Sequence, residues 1–445
     1  MSRPSYPFTV RSADVWKIAL PASLAFITEP LAGLVDITVI GRLGDAGLLG
    51  GLALGALAFD AIFSLAYFLR LGTAGLTAQA VGARDPLDGL MHVVRALLVA
   101  LVIGVAMIVL TIPLHSLAAA IWAPPPGAAA AFATYFGIRI WSAPFSLINY
   151  ALLGWFYGRA SATIGMVLQM LMNVINIVLS IYFVYGLGWG VEGAALGTVA
   201  GHVVTAMLGL IFLARHYGGL LSLLARIDRA HLVEASALTR MFSLSADLMI
   251  RSMALMAAYG YFAAQGSRAG EVVLSANAIL LNFLMLSGFF LDGLAQAAEQ
   301  LSGKAVGANH KPAFDAAYRL SMYWGVAMAL ALSVIWLVGG HYAIDFMTTS
   351  PEVREMARQF LWLAALTAIT GMPAFVFDGV LVGATLNATM RNGMVASLAL
   401  FLVLSYALQP MGNTGLWIGL HIFFVARAGY YWLALERRRA GLFAA

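Results

Sequence analysis

The chain contains no cysteine and very little charge. Of its 445 residues, 62% are hydrophobic and only 10% are Asp, Glu, Lys or Arg, whereas soluble domains carry about 25% charged residues. The absence of cysteine excludes disulfides, thiolate nucleophiles and cysteine-based metal sites. The low charge excludes a water-soluble chain, and the short polar stretches leave no room for a separate soluble domain.

Motifs for nucleotide or metal chemistry are missing as well. No phosphate-cradling GxxxxGK[ST] sequence occurs, so ATP-driven activity would require a partner chain. The eight histidines form no HExxH or other tight ligand spacing, and we expect neither a metal nor another cofactor. His202 and His421 are isolated on helices, where packing or pore lining is favoured over a proton role. The basic residues lie between apolar runs rather than in one patch, which argues against nucleic acid as a partner.

Apolar runs bounded by charge, proline or glycine predict twelve transmembrane helices, since one span needs about 20 apolar residues. The predicted spans are 15–41, 48–72, 92–114, 130–152, 161–186, 191–214, 236–265, 272–298, 317–340, 356–382, 389–410 and 413–436. The sequence therefore predicts an all-α integral membrane protein. We expect an N-terminal six-helix lobe (1–214), a cytoplasmic linker (215–235) and a C-terminal six-helix lobe (236–445). The first run contains Pro21, Glu29 and Pro30, unlike a cleaved signal peptide, and we expect it to be retained.

The distribution of Lys and Arg predicts the orientation. Seventeen of them flank the spans on one side, and five are assigned to the other side: Arg42, Arg139, Arg268, Arg354 and Arg358. Because cytoplasmic loops carry the excess of positive charge, both termini and the linker are expected in the cytoplasm. We expect a multi-pass protein of the bacterial inner membrane, with the lipid bilayer as its partner and a monomeric state.

An internal repeat relates the two halves. The sequence AVGAR at 80–84 returns as AVGAN at 305–309, 225 residues later. The glycine-containing segment 190–193 corresponds to 412–415 at an offset of 222, and Pro144 corresponds to Pro373 at 229. Since each half has an even number of spans, the repeats are predicted to be parallel, related by an axis along the membrane normal. Transporters of this design place the substrate between the halves.

Charged residues inside predicted spans are the clearest functional signal, because one ionised group at a helix centre costs about 3 kcal/mol. They are Glu29, Asp36, Asp60, Asp247, Arg251, Asp292 and Asp378. Asp247 and Arg251 are four residues apart, and we interpret them as a structural pair on one helix face. Glu29 and Asp36 are two turns apart and share a face. The alternative for Asp36 is an acid that leans toward the outer interface.

The segment 31–44, LAGLVDITVIGRLG, resembles the multidrug and toxic compound extrusion (MATE) family, most closely its DinF-like branch. Further similarity lies at 80–84, at 190–193, and at 377–384 (FDGVLVGA) followed by Met390-Arg391-Asn392. The resemblance covers essentially the whole chain. It implies secondary active antiport, in which protons or sodium ions enter while amphipathic, often cationic, drugs leave through a cavity between two lobes.

The resemblance also implies roles for individual residues. Asp36 stands at the position of the branch's cation-coupling aspartate, and Asn176 matches the asparagine that neighbours it. Ser180 replaces the family's second acid, which leaves Asp36 as the main carboxylate, with Glu29 as a possible helper. The substrate-cavity candidates are Asp378, Asp292, Asp60, Asp247 and Arg251. For Asp378, beside Pro373, the alternatives are a role in substrate binding or lobe motion and a buried structural acid.

Four functions remain open at this point. Proton-coupled export of amphipathic, cationic drugs or metabolites is favoured, because one carboxylate offers few anionic oxygens for sodium. Sodium-coupled export by the same design is the first alternative. A lipid-linked flippase of the same superfamily would favour an arginine-lined cavity, whereas the candidates here are mostly acids. A membrane enzyme would need clustered His, Asp or Glu near one interface, and the sequence shows no such cluster.

Overall fold

A computed structural model describes residues 4–228, 232 and 234–443, and these are helical almost throughout. The helices of the first half are α1 Ser12–Gly41, α2 Ala46–Ala66, α3 Phe68–Gly82, α4 Pro86–Val109, α5 Thr111–Trp122, α6 Pro126–Arg139, α7 Ala143–Gly158, α8 Ala162–Ile181, α9 Gly190–His216 and α10 Leu220–Ala225. Those of the second half are α11 Ala235–Arg268, α12 Glu271–Gly307, α13 Lys311–Met347, α14 Pro351–Gly383, α15 Asn387–Ala407 and α16 Gly412–Arg439.

The helices account for the twelve predicted spans. Within the described residues, eleven helical segments are long and apolar enough to cross a membrane, among them the near-continuous pair α2 and α3, Ala46–Gly82. The predicted span 130–152 lies across α6 and α7, which the 3₁₀ turn Ile140–Ser142 separates. This break explains why the segment lacks a single long helix, although its two halves follow one another without a loop.

Local sequence signals place several helix ends. The Asp45 side chain caps α2 by accepting from the amides of Gly47 and Leu48 at 2.8 and 3.1 Å. Asp85 caps α4 in the same way, with Pro86 in its first turn. Ser350 and Pro351 repeat this arrangement at the start of α14. Pro373 lies inside α14, as the span prediction requires, and it removes one backbone hydrogen bond there.

Contacts between α-carbons divide the described residues into two compact units. The N-terminal unit contains Leu24–Thr77 and Asp85–Met241, and the C-terminal unit contains the described parts of Met1–Ser23, Ala78–Arg84 and Phe242–Ala445. The sequence-based boundaries at 214 and 235 remain a prediction, because the linker includes residues 229–231 and 233, outside the described part.

Each unit has its own apolar core. In the N-terminal unit, aromatic side chains of α2 and α6, such as Phe59 and Phe136, pack against one another with ring centroids 4.8 Å apart. In the C-terminal unit, Phe262 packs edge-on against Trp417 at 5.0 Å. Large apolar side chains such as Val102 and Phe346 remain exposed. Such a surface suits a lipid environment, which the hydropathy of the helices also requires.

Candidate functional site

Asp36 lies on α1, and its carboxyl group is buried with 7% of the residue exposed. Its Oδ2 accepts from Asn176 Nδ2 on α8 and from Thr198 Oγ1 on α9, both at 3.4 Å. Asn176 Nδ2 also donates to Thr198 Oγ1 at 2.7 Å. The structure thus brings Asp36 together with Asn176, and it adds Thr198, which the sequence did not single out.

Two oxygen atoms of this group lack a hydrogen-bond donor. Asp36 Oδ1 and Asn176 Oδ1 are buried, and no group in the described part of the chain donates to either. A buried acceptor without a donor is costly. The pair of acceptors therefore suits a bound proton or a small cation, and the chemistry of the oxygen atoms alone permits both.

Ser180 completes the α8 side of the site. It is fully buried, and its hydroxyl stabilises the charged form of the Asp36 carboxyl electrostatically. Ser180 Oγ also donates to the carbonyl oxygen of Ala194 at 3.5 Å. A Cβ at Gly197 would lie 2.6 Å from Ser180 Oγ, so the glycine permits this approach of α9 to α8. One residue beyond the end of α8, Tyr182–Gly186 forms a π turn, a distortion frequent at functional sites.

Further polar contacts hold α1 against α8 and against the π turn that follows it. Asn173 Nδ2 donates to Thr28 Oγ1 at 2.9 Å, and Tyr185 Oη donates to the Val39 carbonyl at 3.0 Å. Glu29 lies on the same helix, α1, but its side chain falls outside the described residues. Its proposed assistance to Asp36 therefore stays a prediction.

Arg139 is the largest departure from the sequence interpretation, which placed it among the outer flanking residues. It lies at the end of α6, and only 8% of it is exposed. Its guanidinium donates to Ser142 Oγ and lies 3.4 Å from His202 Nε2 on α9. It also lies against the rings of Phe59 and Phe63, 5.5 and 5.4 Å from their centroids.

The charge of Arg139 acts on two acids of the N-terminal unit. It acts electrostatically on the buried Asp36 and on Asp60 of α2. The Asp60 side chain is exposed on this unit. Because a carboxylate within a span does not face lipid at low cost, Asp60 requires a polar or aqueous environment.

A second charged cluster lies in the C-terminal unit around Asp378 of α14. Asp378 Oδ2 accepts from Arg251 Nη2 of α11 at 2.5 Å and from Arg427 Nη2 of α16 at 3.4 Å. Arg427 is 1% exposed and lies 5.7 Å from the centroid of the Phe375 ring. One carboxylate therefore neutralises guanidinium groups from two other helices.

This arrangement corrects the predicted pairing of Asp247 with Arg251. Asp247 Oδ1 accepts instead from Arg391 Nη1 on α15 at 2.6 Å. The two residues do lie one turn apart on α11, but each finds a partner on a neighbouring helix. An interhelical pair satisfies each charge and also joins two helices, whereas a pair within α11 would join none.

Asp292 of α12, the remaining cavity candidate, acts electrostatically on Arg251 and so belongs to the same charged region. In this unit two arginines, Arg251 and Arg427, accompany the candidate acid Asp378. The sequence interpretation missed Arg427, Arg139 and Thr198. Both arginines interrupt apolar runs, which is the signal that could have identified them. Among the described residues, no three His, Asp or Glu side chains are grouped to hold a metal ion.

Comparisons with known proteins agree with this architecture. The family model MatE matches residues 21–182 and 249–411, so the same family pattern occurs once in each half and supports the internal repeat. DNA damage-inducible protein F of Escherichia coli is 34% identical over 426 residues, covering 95% of this chain and 92% of that protein. Multidrug export protein MepA of Staphylococcus aureus is 22% identical, covering 85% of this chain and 84% of that protein.

Solved structures show the same fold at lower sequence identity. An outward-facing multidrug resistance MATE transporter of the MOP superfamily aligns with a TM-score of 0.88 at 19% identity, over 99% of this chain and 100% of that one. A MOP superfamily transporter from Pyrococcus furiosus, described as having a binding pocket of reverse polarity, aligns with a TM-score of 0.84 at 20% identity, over 99% and 100%. The family model and the relative from Escherichia coli show that this chain is a membrane transporter of the MatE family and not an enzyme.

Proposed function

We propose that this transporter is a secondary active antiporter that exports amphipathic, cationic drugs or metabolites in exchange for protons. The observation that carries the proposal is the buried carboxyl of Asp36, whose Oδ1 has no donor in the described structure. A proton on this carboxyl would convert the unsatisfied acceptor into a donor, and Asn176 Oδ1 is a second acceptor without a donor beside it. The names of its relatives, which include a multidrug export protein, support drugs as the substrate class.

Coupling requires that the proton and the substrate favour different states of the protein, since a ligand shifts an equilibrium only by its differential affinity. Asp36 contacts residues of α8 and α9, so a change in its charge acts on the packing of three helices. We expect deprotonation to disfavour the arrangement in which this carboxyl is enclosed, because a buried charge without full pairing is costly. The proposed site residues are Asp36, Asn176, Thr198 and Ser180, with Glu29 as a possible contributor.

The test is gradient-driven transport of ethidium, an amphipathic cation, by purified protein in proteoliposomes. Asp36→Asn keeps the shape of the side chain but cannot bind a proton, and we expect it to fold and to lose proton-driven transport. Asp45→Asn is the matched control, because Asp45 caps α2 outside the site. Transport by Asp36→Asn at the wild-type rate would reject the proposal. A loss of transport in Glu29→Gln with an active Asp36→Asn would move the coupling role to Glu29.

Sodium coupling of the same exporter stays the alternative, because the two unsatisfied oxygens could also contact a sodium ion. It predicts transport driven by a sodium gradient at constant pH. A lipid-linked flippase is the other alternative, and the observation that favours it is the pair of arginines at Asp378, the half-buried Arg251 and the buried Arg427. It predicts that ethidium is not transported under either gradient. The same vesicles therefore separate all three functions.

A further inference from the structure

Arg139 is a buried cation without a direct counter-ion. Its residue exposure is 8%, and no carboxylate among the described residues forms an ion pair with it. Its contacts are the Ser142 hydroxyl, the side chains of Tyr135 and His202 and two phenylalanine faces. A buried charge with neutral contacts alone is costly. The guanidinium therefore depends on carboxylates at longer range.

A short path of contacts links this guanidinium to the coupling site. Arg139 Nη2 lies 3.4 Å from His202 Nε2, and His202 lies one turn after Thr198 on α9. Thr198 Oγ1 lies 3.4 Å from Asp36 Oδ2. Asn149 Nδ2 donates to the His202 carbonyl at 3.0 Å and fixes this part of α9 against α7. Arg139 and Asp36 thus contact residues that lie one turn apart on α9.

We propose that Arg139 is a specificity-determining residue, a fixed internal cation that makes the Asp36 site select protons over sodium ions. This inference rests on the proposed function. The titratable groups that share the region with Arg139 are Asp36 on α1, Asp60 on α2, Tyr135 on α6 and His202 on α9. The α8 residues at the site, Asn176 and Ser180, carry no charge, and Arg139 is the fixed positive charge that acts on Asp36.

The physical reason lies in the difference between the two cations. Either one adds a positive charge near the guanidinium, and both are repelled by a similar free energy. For the proton, this repulsion only shifts the pH at which the covalent O–H bond forms. A sodium ion forms no covalent bond, and with a single carboxylate it binds weakly. Repulsion by Arg139 lowers the affinity of the site for sodium by about tenfold more. Sodium then no longer competes with the proton for the Asp36 carboxylate.

The experiment compares ethidium transport by the full-length protein in proteoliposomes, under an imposed pH gradient, in sodium and in choline buffers. The variants are Arg139→Gln, which removes the charge, and Arg139→Lys, which keeps it. Arg95→Gln is the control, because Arg95 is a buried arginine of the same unit that donates to the Leu232 carbonyl at 3.2 Å. The readouts are the initial rate, its pH midpoint and the ratio of the rates in the two buffers.

We expect equal rates in sodium and choline for wild type, Arg139→Lys and Arg95→Gln. In Arg139→Gln the proton is held more tightly, so the pH midpoint rises by about one unit, and sodium alters the rate. An unchanged midpoint with an unchanged sodium response in Arg139→Gln overturns the inference, as does a sodium-driven wild type. If Arg139→Gln does not fold, Arg139→Met is the second neutral variant, because its apolar side chain can keep the contacts with Phe59 and Phe63. An unchanged midpoint with an unchanged sodium response in Arg139→Met would then reject the inference.

The two hypotheses fail in different ways. Loss of transport in Asp36→Asn, combined with a sodium-insensitive Arg139→Gln, rejects the role of Arg139 alone. Full transport by Asp36→Asn rejects the proposed function itself.

Discussion

Arg251 donates to Asp378 at 2.5 Å, although Asp247 lies only one turn before it on the same helix. With Arg427 also bound to Asp378, this carboxylate joins α11, α14 and α16. The side chain of Arg427 is 1% exposed and that of Asp378 is 10% exposed, so neither charge is well screened by water. The stability of the C-terminal unit should therefore depend on Asp378.

We predict that Asp378→Asn lowers the free energy of unfolding by about 3 kcal/mol, because it leaves the buried guanidinium of Arg427 and the half-buried one of Arg251 without the carboxylate that they share. Tryptophan fluorescence during thermal unfolding in detergent measures this change. Asp345→Asn is the control, since Asp345 pairs with Arg358 at 2.6 Å on a partly exposed surface, and such pairs contribute about 1 kcal/mol or less. Equal effects of the two substitutions would contradict the prediction.

Transport by Asp378→Asn can distinguish a role of Asp378 in substrate binding or lobe motion from a purely structural role. If it binds substrate or takes part in the motion of the lobes, Asp378→Asn should reduce ethidium transport even at temperatures where the variant stays folded. If it is a structural acid, transport per folded molecule should equal that of wild type. A panel of cationic dyes assayed well below the unfolding midpoint distinguishes these outcomes.

Ser180 provides a test of how many acids the coupling site needs. Ser180→Asp adds a second carboxylate to the buried site and should create a response to sodium gradients, because more anionic oxygens favour a metal cation. Ser180→Asn has the same size without the charge and controls for crowding against Gly197. Sodium-dependent ethidium transport is the readout. A sodium response in both variants, or in neither, would show that the carboxylate at this position does not set the ion preference.

The segment before α1 makes contacts within the C-terminal unit, and a double-mutant cycle can measure the energy of one of them. The Tyr6 amide donates to the Ala308 carbonyl at 2.9 Å, and Lys304 Nζ lies 4.5 Å from the Phe8 ring centroid. We predict a coupling energy of about 0.5 to 1 kcal/mol between Phe8→Ala and Lys304→Met in thermal unfolding. Additive effects of the two substitutions would show that this contact does not stabilise the folded state.

Topology is accessible because the chain has no cysteine of its own. Single cysteines at Ser222 and Thr349 should react from opposite sides of the membrane, with Thr349 labelled by an impermeant reagent in intact cells and Ser222 labelled only after permeabilisation. This outcome follows from the Lys and Arg distribution, which predicts that the linker and both termini lie in the cytoplasm. Labelling of both positions in intact cells would show that the predicted orientation or span order is wrong.

The sequence by itself determined the twelve spans, the internal repeat and the position of Asp36 in the first helix. These features follow from the hydropathy, proline and glycine patterns of short segments. Such patterns do not depend on which residues meet in the folded protein. The matches of one family model to residues 21–182 and 249–411 agree with the repeat.

The tertiary structure decided the partners of the charges. Arg251 and Asp378 are 127 residues apart, and Arg391 and Asp247 are 144 apart, so no local pattern encodes either pair. The spacing of Asp247 and Arg251 favoured a pair within one helix, but the cost of leaving charges on adjacent helices unpaired outweighs a weak intrahelical contact. Arg139 was assigned to a flank for the same reason. Only the packing of α6 against α2 and α9 buries its charge near Asp36, because desolvation depends on every neighbouring helix at once.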